Sequence, residues 1–186
     1  EKRIVDAVAG DVTKAHRKGC DLVRERGSVS IPHRADVVLV SAGGYPKDLN
    51  LYQAQKALDN AAAAVVDGGV IVWVAECSEG FGNATFEEWI RESSSADEIL
   101  KRIQRQFAIG GHKAAAIASL RQRLADLHLV SAMPFGDIER IGVTQTTDLQ
   151  KASDAALERM GASSVLSMPA GGSTFPVTSD SGGTSF

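Results

Sequence analysis

The chain has 186 residues, 44% hydrophobic and 23% charged, which is enough to bury one sizeable core. Its net charge of −3 argues against nucleic acid as the main partner, because phosphate contacts need a basic face. No apolar run is long enough to span a bilayer, no signal-peptide pattern opens the chain, and Cys20 and Cys77 form neither a disulfide framework nor a Cys/His metal spacing. A reducing, cytoplasmic setting is the expectation, and with a start at Glu1-Lys-Arg-Ile rather than Met the chain is expected to be a piece of a longer product.

From the start, Ile4, Val5, Val8, Val12, Ala15, Leu22 and Val23 give one apolar face to a helical region over residues 4–26. Gly10-Asp11 and Gly19 interrupt it, so the pattern reads as one imperfect helix or two, stopped by Gly27 in a left-handed conformation. His16, flanked by Lys14, Arg17 and Lys18, reads as part of a solvated face. Ser28–Ile31 has the length of a short strand that Pro32 ends, which leaves His33 in a loop. Residues 35–41 are rich in Val and Leu without alternation, the pattern of a strand buried on both faces of a parallel sheet.

That strand empties into Ser41-Ala-Gly-Gly-Tyr-Pro-Lys-Asp-Leu-Asn50, and an Ala-rich helix follows from residue 51 to about 66. In an open α/β sheet the loops after the strands face the ligand crevice, and the next helix offers unpaired N–H groups to an anion lying there. Asn50 suits an N-cap, and Gln53 completes an Asn-x-x-Gln capping box. Gln53 and Lys56 at i, i+3, and Tyr52 and Lys56 at i, i+4, then share one face beside the helix start. An amide, a phenol and a cation so placed suit a small carboxylate or a phosphate. The same residues also read as an ordinary surface after a Gly-Gly-Tyr-Pro turn.

Asp67-Gly68-Gly69 is expected to end that helix, and residues 70–75 to form a second buried strand that completes a right-handed βαβ unit. The loop after it, Glu76-Cys-Ser-Glu-Gly-Phe-Gly82, would lie beside the first loop and wall the crevice. Glu76 and Glu79 lack a third metal ligand at helical spacing, and Cys77 lacks a histidine partner, so an inert buried thiol is expected. Residues 85–90 and 97–107 read as helices, with Ser93-Ser-Ser95 as loop and N-cap. Gly110-Gly111 opens a further helix over 112–125, whose dipole disfavours a charged His112. Residues 127–133 read as a third strand with His128 in the core or at its rim, 134–140 as a turn, and 143–144 as a brief strand. The last helix, 152–160, begins at Asp148 or Ser153 and stops at Gly161, and 164–168 form the final strand. The expected fold class is α/β: a three-layer α/β/α sandwich around a Rossmann-like, mostly parallel sheet of about four or five strands, without a Gly-x-Gly-x-x-Gly fingerprint. Residues 1–177 are expected to be a single α/β domain and 178–186 a disordered tail.

Four blocks, Gly43-Gly-Tyr-Pro-Lys-Asp-Leu-Asn-Leu-Tyr-Gln-Ala-Gln-Lys-Ala57, Ala75-Glu-Cys-Ser-Glu-Gly-Phe-Gly82, Gly110-Gly-His-Lys-Ala114 and Met168-Pro-Ala-Gly-Gly-Ser-Thr174, together resemble the C-terminal domain of the nickel-dependent lactate racemase family. The first block is specific and the last weak. The resemblance implies a two-domain racemase or epimerase carrying a nickel-pincer nucleotide, which abstracts a hydride from a 2-hydroxy acid and returns it to either face. The family's cofactor-tethering lysine, nickel-binding histidine and catalytic histidine pair belong to an N-terminal domain that no part of this chain resembles. No catalytic residue and no metal ligand is therefore expected here, and the chain alone is expected to be inactive.

What the resemblance implies for this chain is binding and closure, with the 2-hydroxy acid and the N-terminal domain as partners. Tyr52, Gln53, Lys56 and His112 would contact substrate or cofactor, and Gly43, Gly44, Lys47, Asp48, Glu76 and Gly80 would shape the crevice loops. At His112-Lys113 the chain departs from at least one family member, which has Trp near this point. The residues alone also leave open a stand-alone phosphate- or nucleotide-binding module, or a structural domain without catalysis.

Overall fold

The computed structural model describes residues 3–134, 136–161 and 164–178. In chain order these form α1 (Val12–Gly27), β1 (Ser28–Ile31), β2 (Ala35–Ser41), α2 (Leu51–Ala62), β3 (Val65–Val74), α3 (Ala84–Glu92), α4 (Ala96–Arg105), α5 (Gly111–Arg123), β4 (Asp126–Val130), β5 (Thr144–Thr146), α6 (Leu149–Met160), β6 (Val165–Met168) and β7 (Phe175–Thr178). Single 3-10 turns stand at Ile138–Ile141 and Gly171–Ser173.

Five strands make one parallel sheet in the order β5-β4-β3-β2-β6. The unbroken Val and Leu run of β2 is explained by cover on both faces. Val38 and Val40 join Ile71 and Trp73 in the larger core with side chains of α2, α3, α4 and α5, while Val37, Val70 and Val72 meet Ala152 and Ala156 of α6. The molecule is thus an α/β sandwich of three layers, as its pattern predicts. Trp73, Trp89, Phe86, Leu51 and Leu58 are fully buried, each contributing about 1.5–3 kcal/mol of hydrophobic stabilisation or more. β1 and β7 form a separate parallel pair. Among the described residues no helix is long and apolar enough to cross a membrane.

Several boundaries differ from those the sequence predicts. α1 starts at Val12 rather than residue 4, because the Asp11 carboxylate accepts the Lys14 N–H at 3.0 Å and so caps the helix there. Gly27 is its last helical residue and is not left-handed; the chain passes directly into Ser28, in extended conformation, to pair with β7. α2 ends at Ala62, and Asp67-Gly68-Gly69 lies inside β3 instead of ending a helix. Pairing of Val65 with Ala35 draws the strand start back, and a register shift before the Val37–Val70 pair takes up the extra residues.

The segment after Pro169 is better anchored than its Gly and Ser content predicts. The Asn60 amide donates to the Gly171 carbonyl at 2.7 Å, and Gly171 is buried so close to Val40 that a Cβ there would collide with it. Thr178, where the tail was expected to begin, is the last residue of β7 and pairs with Ile31. Residues 179–186 lie outside the described residues.

Candidate functional site

The strand order reverses at β2. From there the chain steps outward through β3, β4 and β5, then returns to lay β6 on the other edge of β2. The loops leaving β2 and β6 therefore diverge at the carboxyl edge of the sheet, where open α/β sheets form their crevice. A cleft of about 270 Å³ opens between them, lined by the buried Ala42 and Ala57, by Gly172, and by Lys47, Gln53 and Lys56.

Both lysines are held by neutral partners. Lys56 Nζ donates to Gln53 Oε1 at 2.7 Å, one helical turn away, and Lys47 Nζ donates to Ser173 Oγ at 2.7 Å across the two loops. The Lys47 stem lies between Gly43 and Gly172, where added Cβ atoms would stand 3.4 and 3.8 Å from its Cδ. Gly43 and Gly44 also have φ of 102° and 72°, which suit glycine alone. Among the described residues, neither Lys47 nor Lys56 forms an ion pair with a carboxylate.

The start of α2 does not offer the unpaired N–H groups expected of it. Leu51 N–H donates to Gly80 O at 2.9 Å and Tyr52 N–H to Phe81 O at 3.1 Å. Gln53 N–H donates to Asn50 Oδ1 at 3.0 Å and Ala54 N–H to Asn50 O at 3.0 Å. The loop after β3 folds over the helix end because Gly82 has no side chain to collide with Asn50. Cys77 N–H to Asp48 O and Glu79 N–H to Leu49 O, at 2.8 and 2.9 Å, tie the two loops together. The first amides of α2 are thus bonded within the chain.

Tyr52 does not share the cleft with Gln53 and Lys56. Its ring meets Phe86 edge-on at 6.2 Å, and Lys113 Nζ stands 4.4 Å from the ring centroid while donating to Tyr52 O at 3.0 Å. This flank of α2 carries Asp59, whose carboxyl is raised above its ordinary range by burial, against the opposing pull of Lys113 and His112. Burial likewise lowers the Lys113 ammonium, Asp59 opposing and Lys56 assisting. His112, in the first turn of α5, accepts the Gly110 N–H at Nδ1 (3.2 Å) and stacks on Phe107 at 6.0 Å, and it does not line the lysine cleft. Lys113, next to His112 in the Gly110 block, joins this flank of α2 although the motif alone gives it no role.

The other loop residues act through their backbone. Asp48 and Gly80 accept the amides already described, and Glu76 O accepts from Ser131 Oγ at 2.8 Å. Cys77 is buried with φ 56°, and its thiol is pushed up to about 12, chiefly by burial, in keeping with an inert role. Among the described residues no three His, Cys, Asp or Glu side chains lie close enough to hold a metal ion.

The sequence model of the lactate racemase C-terminal domain matches residues 31–175. The chain belongs to that family. A lactate racemase from Thermoanaerobacterium thermosaccharolyticum is 44% identical over 101 residues, which is 54% of this chain and 24% of that protein. One from Lactiplantibacillus plantarum is 37% identical over 100 residues, 54% of this chain and 23% of that protein. The chain therefore matches about a quarter of the length of these curated relatives. The lactate racemase apoprotein structure from T. thermosaccharolyticum superposes with a TM-score of 0.78 at 29% identity, covering 88% of this chain and 40% of that one. A Thermotoga maritima protein, at 16% identity and a TM-score of 0.60 over 89% of this chain and 42% of its own, shares the fold. The span matched to the lactate racemase C-terminal domain takes in the whole five-stranded sheet and the lysine cleft, and leaves out α1.

Proposed function

We propose that this lactate racemase C-terminal domain is the substrate- and cofactor-closing part of a two-domain racemase or epimerase of 2-hydroxy acids, dependent on a nickel-pincer nucleotide and working in the cytoplasm. The observation that carries the reading is the Lys56–Gln53 pair at the switch-point cleft, an ammonium and an amide already held 2.7 Å apart and free of any carboxylate among the described residues. A carboxylate entering the cleft would take a charge-assisted bond from Lys56, about 1.5–3 kcal/mol net, and a second from the Gln53 amide.

When bound, the nucleotide supplies hydride abstraction and return at the 2-carbon. The residues of this chain fit its anionic groups rather than its metal, since the donors of the cleft are ammonium and amide groups. Lys56 and Gln53 bind and orient the carboxylate, and the loops carrying Gly43, Gly44, Asp48, Glu76 and Gly80 wall the crevice. Tyr52 and His112 form the neighbouring flank that meets the N-terminal domain on closure, which excludes water. The chain alone is inactive on this reading, because chemistry belongs to the part of the protein that it does not match. A stand-alone phosphate-binding module is less well served, as the first amides of α2 are already spent on carbonyls of the chain.

The test is a chiral assay of the full-length, cofactor-loaded protein given single enantiomers of lactate and other 2-hydroxy acids. Drift toward a mixture of enantiomers in at least one of them is expected. Optical purity retained across the panel, with cofactor bound, would contradict the proposal.

A further inference from the structure

Lys113 of α5 lies outside the lysine cleft and reaches the start of α2 from 61 positions away in the chain. Its base is held firmly. Gly111 packs so closely on Trp89 that a Cβ there would stand 2.6 Å from the indole, and the Lys113 N–H donates to Gly110 O at 3.0 Å. The half-buried side chain then meets one residue twice: its ammonium donates to Tyr52 O at 3.0 Å and stands 4.4 Å from the centroid of the Tyr52 ring. One cation thus grips both the backbone and the ring face of Tyr52, where the ring quadrupole attracts it. Phe86 meets the same ring edge-on at 6.2 Å. Around the ammonium stand the opposite charge of Asp59 and the like charge of Lys56, both on α2. Among the described residues the Tyr52 hydroxyl makes no hydrogen bond to the protein, so the ring is held at face and edge while its polar end is left unengaged. Holding a lysine in one rotamer costs conformational entropy, which a freely moving surface lysine avoids.

We infer that Lys113 is a positioning residue of the proposed racemase, fixing the Tyr52 ring in the one orientation in which this flank of α2 meets the ligand and the N-terminal domain on closure. This rests on the 2-hydroxy acid reading above. Lys113 touches no ligand itself; it acts through Tyr52. A contact that orients a side chain before the ligand arrives removes an ordering cost from the reaction. Loss of Lys113 leaves the Lys56 and Gln53 contacts to the carboxylate in place, so it lowers kcat more than it raises KM.

The experiment compares kcat and KM of full-length, cofactor-loaded wild type with those of Lys113→Met, Lys113→Arg, Tyr52→Ala and the double variant Lys113→Met with Tyr52→Ala, each shown to be folded by its melting curve. Lys113→Met is expected to lose about fivefold or more in kcat with KM within about twofold, and Lys113→Arg, which keeps a cation over the ring, to recover most of the loss. In the Tyr52→Ala background the same Lys113→Met change is expected to cost less than about twofold, whereas a lysine with a purely structural role would cost the same in both backgrounds. A second measurement needs no turnover. In the full-length apoprotein carrying carbon-13-labelled tyrosine, the ring signal that Tyr52→Phe removes is expected to move in Lys113→Met while that of Tyr45 stays in place. Should Lys113→Met fail to fold, Lys113→Gln takes its place in both measurements. A wild type that turns over no 2-hydroxy acid would overturn the racemase reading and the inference built on it. An active wild type whose Tyr52 signal is unmoved by Lys113→Met, or in which that change costs equally with and without the Tyr52 ring, would overturn the inference alone.

Discussion

Burial pushes the Cys77 thiol up to about 12, whereas Cys20 is exposed on α1. A thiol reagent at pH 8 is therefore expected to modify one cysteine of the native protein quickly and the second only after denaturation; rapid reaction of both in the native state would contradict the placement of Cys77. Asp126 is a second residue whose surroundings set its chemistry. The imidazole of buried His128 stands 3.4 Å from its carboxylate and is the main cause that holds Asp126 below the ordinary value of 3.8. A depressed carboxyl contributes stability above its unfolded value and loses it as pH falls through the folded one. Melting curves of Asp126→Asn should then lie below wild type at pH above the ordinary value of 3.8 and converge with it as pH falls through the depressed folded value. The same scale explains which site residues were legible. Gln53 and Lys56 are a local pair, and helical spacing alone predicts their contact. The direction of Tyr52 was not legible, because it is fixed by Lys113, 61 residues away, and by Phe86.

At the scale of elements, the loop after β3 and the cap of α2 form one device. Asn50 caps Gln53, donates toward Glu79, and sits where Gly82 leaves room for it. Asn50→Ala is expected to cost about 1–2 kcal/mol by denaturant unfolding, at the upper end of the range for a lost N-cap, because the cap is buried. A loss below a few tenths would mean that the loop contacts hold the helix end unaided. Caps were legible in the sequence wherever a short polar side chain precedes an apolar stripe, as at Asn50, Ser95 and Asp148, and Gly161 does stop α6 with φ 52°. The start of β3 was not, since Val65 joins the strand only through its pairing with Ala35, 30 positions earlier in the chain. The use of α2's own amides was equally hidden, because their acceptors, Gly80 and Phe81, come from another loop.

The whole molecule places its cleft by topology. The buried Val run of β2, the βαβ unit and the glycine-bearing loops were all readable from local pattern. That β6 would return to the outer edge of β2 was not, and this return is what creates the switch point and brings Ser173 to Lys47. α1 stands apart from this arrangement. It has no buried residue, Val12 and Val23 are exposed, and it lies outside the family span. The central claim is that the matched domain supplies the carboxylate-binding cation of a racemase. The measurement that tests it most directly is kcat/KM for single-enantiomer lactate, or the 2-hydroxy acid turned over, in cofactor-loaded full-length wild type and Lys56→Ala. A folded Lys56→Ala protein is predicted to lose roughly tenfold or more in kcat/KM, equivalent to about 1.4 kcal/mol of transition-state binding. Unchanged kinetics in that folded variant would contradict the account.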